Sequence, residues 1–77
     1  MKERLIKKQL VKERRRLADN LKRRRKKAGY SQVALAKAAR THRTYISLIE
    51  RCATNPSLAL LGRLAVALHI KTADLLR

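Results

Sequence analysis

The chain has 77 residues, enough for one small domain, and 45% of them are hydrophobic, mostly Leu, Ala, Ile and Val with no Trp or Phe. That composition suits packed helices and argues against a β-sandwich. Twenty-one Lys/Arg against five acids give a formal charge of +16, far beyond the needs of solubility, and imply an anionic partner.

Residues 1–30 hold 14 Lys/Arg and 3 acids, whereas residues 31–77 hold 7 and 2. Residues 1–16 read as a basic helical arm, with Leu5, Ile6, Gln9, Leu10 and Glu13 near one face. Nothing in them breaks a helix before the next element. Three readings compete for this arm: a solvated segment, a partner-binding helix through Leu5, Ile6 and Leu10, or an interfacial membrane helix. The last has a thin apolar stripe without aromatics. The expectation is that the arm adds phosphate contacts without changing which sequence is read.

Residues 17–77 form the domain proper. Its first helix, Leu17 to Ala28, points Leu17, Ala18 and Leu21 inward and carries six consecutive basic residues, Lys22 to Lys27. Cations at a helix C-terminus complement its dipole, but six together repel one another. Gly29 supplies a left-handed stop.

Ser31 to Arg51 reads as two short helices joined by a tight break at Arg40-Thr41-His42, too short for a long antiparallel pair. A steep crossing follows, as in a helix-turn-helix. Ser31 is a good N-cap. Leu35, Ala36 and Ala39 fall on one face of the first helix, and Ile46 and Ile49 on one face of the second. The outer face of the second carries Arg43, Thr44, Ser47, Leu48 and Arg51 with no acid, while Glu50 turns inward with the isoleucines. Such a face is either simply solvated or suited to the major groove.

After a loop from Cys52 to Pro56, a helix from Ser57 to about Leu68 presents Leu58, Leu61, Leu64, Ala65 and Leu68 as an inward stripe. Gly62 within it either permits close helix approach or is merely tolerated. Thr72 to Leu76 gives a last turn of helix. The expected architecture is all-α, a compact five-helix bundle whose first helix is extended by the arm.

From Leu21 to Leu76 the chain resembles the lambda-repressor-like helix-turn-helix domains, the family of phage repressors and small bacterial regulators. The matching pieces are Ser31-Gln32, Leu35-Ala36, Ile46-Ser47, Ile49-Glu50-Arg51, Asn55-Pro56-Ser57-Leu58, Leu64-Ala65, Ala67-Leu68 and Asp74-Leu75-Leu76. Within the family, Arg43-Thr44-Tyr45-Ile46-Ser47 is most similar to controller proteins of restriction–modification systems. The resemblance implies a symmetric dimer on operator DNA, with the second motif helix in the major groove.

By that resemblance Arg43, Thr44, Ser47 and Leu48 fall where the family contacts bases. Gln32 falls where it touches a phosphate and braces the recognition helix. Arg24, His42, Tyr45, Arg51 and Asn55 complete the expected phosphate contacts, Tyr45 having packing over the turn as its alternative. Arg25 and Glu50 match a buried ion pair. Leu60, Ile70 and Leu76, taken as exposed, mark the expected dimer interface. Arg40, Cys52 and His69 stand where the family often has glycine, so either these turns change geometry or the residues accept strain.

Cys52 has no disulfide partner in the chain, and neither it nor His42 or His69 has a companion at metal-ligand spacing. No cofactor, metal or small-molecule effector is expected. No run is apolar enough for a membrane span, and no secretory signal is legible, which makes the cytoplasm the expected location. No nucleophile–base arrangement suggests an enzyme. The leading function is sequence-specific binding of double-stranded DNA by a dimeric transcription regulator. The alternatives are a DNA-binding antitoxin with a protein partner and a nucleic-acid binder acting by charge alone.

Overall fold

A computed structural model describes residues 1–77 as five helices and no strand. Helix α1 spans Lys2–Lys27, α2 Gln32–Ala38, α3 Arg43–Glu50, α4 Leu58–Ala67 and α5 Thr72–Leu75. Neither glycine nor proline interrupts residues 2–27, so the arm and the first helix of the domain are one rod with no break near residue 16. At about 1.5 Å per residue the rod is roughly 39 Å long. It accounts for most of the molecule's 42 Å long axis.

Local chemistry sets the helix starts. The Oγ of Ser31 accepts the Ala34 amide at 3.0 Å, and that of Ser57 accepts the Leu60 amide at 3.0 Å. The Asp74 carboxylate accepts the Lys71 amide at 3.0 Å, opening α5. His42 precedes α3 without a side-chain cap bond.

The four longer helices end alike. Gly29, Arg40, Cys52 and His69 adopt φ of 80°, 56°, 61° and 57°. The amide after each one closes back on a carbonyl five residues earlier: Tyr30 to Arg25, Thr41 to Ala36, Ala53 to Leu48 and Ile70 to Ala65, all at 2.8–3.0 Å. The turn geometry is thus kept without glycine at three of them. Each L-residue in this region costs about 1–2 kcal/mol, offset by satisfied carbonyls and by the packing the turn makes possible.

One core holds the helices together, with Leu21, Leu35, Ile46, Ile49, Leu64 and Leu75 sealed from solvent. Two sequence readings of α4 need correction. Leu58, expected inward, is 75% exposed, while Leu60, expected at the surface, is 7% exposed and belongs to the core. Both fit a 3.6 period beside Leu61 and Leu64. Leu60 joins the core cluster, at the edge of a cleft it shares with Tyr45, Asn55 and Pro56, while Leu58 is left outside it. Ile70 and Leu76 are half-buried and pack against the core. Gly62 is tolerated rather than required, since a Cβ placed there would meet nothing within 4 Å.

Candidate nucleic-acid interface

Helix α3 is short, and its placement depends on what grips it. Ile46 and Ile49 are buried to 0% and 1% exposure. At its last turn Arg25 donates from Nε to Oε2 of Glu50 at 2.7 Å and from Nη2 to Oε1 at 3.0 Å. Only 10% of the arginine side chain and 4% of the glutamate side chain remain exposed. Arg25 Nη1 also donates to the Tyr30 carbonyl at 2.9 Å, and Gln32 Nε2 donates to Glu50 Oε1 at 3.2 Å. Each guanidinium nitrogen of Arg25 and each carboxylate oxygen of Glu50 therefore has a partner, which a buried charge pair needs to be tolerated. Hydrogen bonding to Glu50 raises the Arg25 pKa above its ordinary value; desolvation opposes that rise and the charge of Glu50 adds to it.

With that side anchored, the opposite side of α3 is determined by the helical period. Arg43 and Thr44 are exposed at its first turn, and Ser47 and Leu48 are half-buried one turn on. Arg51 follows, exposed, with its Nε donating to the Ser47 carbonyl at 3.4 Å. No acidic side chain lies on this face, because Glu50 is turned into the core. Arginine's planar fork suits guanine edges, hydroxyls suit either base or phosphate, and leucine offers apolar contact to a thymine methyl.

The flanking residues take distinct environments. Gln32, the first residue of α2, is half-buried and spends its amide on Glu50. Tyr45 is 48% exposed, with its ring 6.5 Å from that of His42. His42 is exposed. Arg24 is half-buried, and its Nε has no hydrogen-bond partner. Asn55 is exposed, but its Oδ1 accepts from Arg14 Nε at 2.6 Å, so the base of the arm is tied to the loop after α3.

Two residues that matter escaped the sequence reading. Asn20, 8% exposed, donates to the carbonyls of Leu75 at 3.0 Å and Arg77 at 2.8 Å, and accepts from Arg23 at 2.8 Å. It fastens the end of the chain to α1. A helix-disfavoured amide among inward leucines is the signal that marks it. Arg63 donates from Nε to the Ala39 carbonyl at 3.0 Å, closing the end of α2 against α4. Nothing in sequence spacing points to that bond.

No helix is long and apolar enough to cross a membrane, and no group of three or more His, Cys, Asp or Glu is placed to hold a metal ion.

Comparison with known proteins agrees with this geometry. The helix-turn-helix model HTH_3 matches residues 21–75. A hypothetical transcription factor, NHTF, from Neisseria is 35% identical over 84% of this chain and 75% of its own, with a TM-score of 0.81. The restriction-modification controller protein C.AhdI from Aeromonas hydrophila is 32% identical over 80% of this chain and 94% of its own, with a TM-score of 0.78. The clp gene regulator ClgR from Corynebacterium glutamicum is 33% identical over 82% of this chain and 67% of its own, with a TM-score of 0.77. No curated protein sequence matches. The chain belongs to the helix-turn-helix family of DNA-binding transcription regulators.

Proposed function

We propose that the chain is a sequence-specific regulator that binds operator DNA as a homodimer in the cytoplasm, with α3 in the major groove. The observation that carries this reading is the acid-free outer face of α3, held rigidly from behind by the Arg25–Glu50–Gln32 cluster. Arg43, Thr44, Ser47 and Leu48 read bases, Arg43 by a bidentate pair to a guanine. Gln32, Arg24, His42, Tyr45, Arg51 and Asn55 position the duplex through its phosphates.

Likeness to C.AhdI over nearly all of that protein supports a controller-type regulator. Ile70 and Leu76, half-buried at the end of the bundle, are the remaining candidates for the dimer contact. Leu60 leaves the set because its own chain covers it. Two α3 helices then sit about one DNA turn, roughly 34 Å, apart.

Selection of bound sites from random DNA, followed by competition at about 150 mM salt, tests the reading. A specific binder prefers its selected site over random duplex by about 10³ or more. Absence of any enriched sequence would leave binding by charge alone. Sedimentation at tens of micromolar, with and without the site, tests the dimer; a monomer in both would refute it.

A further inference from the structure

Helix α1 carries a second cationic surface that α3 does not explain. Arg4, Lys8, Lys12, Arg15, Asp19, Lys22 and Lys26 follow one another at steps of three or four residues, which stacks them on one stripe of the helix. All seven are exposed. None of the six cations takes part in an ion pair, and Asp19 is the one acid in the row. Like charges at this spacing destabilise a helix, so the arrangement is unfavourable for the free chain. From Arg4 to Lys26 the stripe runs about 33 Å, close to one turn of duplex DNA.

Its direction follows from helix geometry. At about 100° per residue the stripe lies roughly 130° around the axis from Leu17, Leu21 and Arg25, the side that meets the core and α3. The reading face of α3 is turned away from that same core. The stripe and the reading face of α3 are thus each turned outward from the core, on separate helices.

We infer that the outer stripe of α1 is a sequence-independent phosphate rail that binds a second segment of duplex DNA, so that one molecule joins two duplexes. The rail relies on the proposed function only for the orientation of α3. The Arg14–Asn55 bond and the unbroken helix hold it at a fixed angle to the domain.

The test uses the full chain, a bead-captured duplex carrying the selected site, and a fluorescent random duplex of roughly 30 bp, about three turns. The parent protein recruits the fluorescent duplex to the beads. Combining Lys8→Gln, Lys12→Gln, Arg15→Gln and Lys22→Gln lowers recruitment at least about tenfold and makes its salt slope shallower by about 3–4. Affinity for the captured site stays within about threefold, and site preference is unchanged. Combining Lys8→Arg, Lys12→Arg and Lys22→Arg keeps recruitment, which separates charge from helix integrity.

A parent that recruits nothing, or a Gln variant that recruits as well as the parent, overturns the rail. So does a Gln variant whose main loss is affinity for the captured site, since the stripe then serves the duplex that α3 reads. If no preferred site exists, the same assay between two random duplexes still tests the rail, and only the proposed function fails.

Discussion

Glu50 is held through both carboxylate oxygens by Arg25, a residue 25 positions earlier in the chain, at 2.7 and 3.0 Å. This bond ties the last turn of α3 to α1 and removes the one acid of α3 from its outer, polar side. A single carboxylate thereby links stability, helix orientation and the sign of the interface potential.

Glu50→Ala should leave a buried, unpaired guanidinium at a cost of about 3–5 kcal/mol. Thermal unfolding checks it; a melting temperature within a degree or two of the parent would mean that the pair contributes nothing. A cation whose pKa is raised on folding stabilises below its ordinary value, and that contribution is lost only as pH rises through the raised value. Since both lie above the usual range, the Arg25 contribution should stay constant between about pH 6 and 10.

Arg43→Ala removes the planar donor at the first turn of α3 without touching the core. It should weaken specific binding by about 1–3 kcal/mol and relax the preference at one base pair per half-site. Site selection with the variant checks this, and an unchanged consensus would take the base-reading role from Arg43.

Asn20→Ala strands the carbonyls of Leu75 and Arg77 that the amide now serves. The expected loss is about 1–3 kcal/mol. Amide exchange should quicken in α5 before it does in α3. Uniform exchange rates would show that the end of the chain is held by apolar packing alone.

His69→Gly relieves a left-handed residue whose imidazole is exposed. Relief of about 1–2 kcal/mol is partly cancelled by the greater freedom of glycine in the unfolded chain, about 0.4–1 kcal/mol. A net gain of several tenths to about 1 kcal/mol should raise the melting temperature by a few degrees, up to about 8 °C. A lowered melting temperature would show that the turn is not strained.

Much of this molecule is written locally. Ser31 and Ser57 cap helices because a hydroxyl one residue before a helix can reach an unpaired amide. Gly29 stops α1, and the inward placement of Ile46, Ile49 and Glu50 follows from the 3.6 period alone. The charge, the two motif helices and the acid-free face of α3 were likewise legible, because they depend on residue type and spacing within a turn or two. Tertiary packing decided what periodicity leaves degenerate. Leu58 and Leu60 both fit an apolar stripe, and the way α4 packs on the other helices put only the second in the core. Asn20 and Arg63 found backbone carbonyls 55 and 24 residues away, contacts that no local pattern encodes. Arg40, Cys52 and His69 accepted a left-handed backbone because the carbonyls closed by each turn, and the core behind it, outweigh the strain on one residue. The direction of the cationic stripe on α1 was settled in the same way. Its spacing is a property of the sequence, but only the packing of Leu17, Leu21 and Arg25 against the domain turns it to the outside.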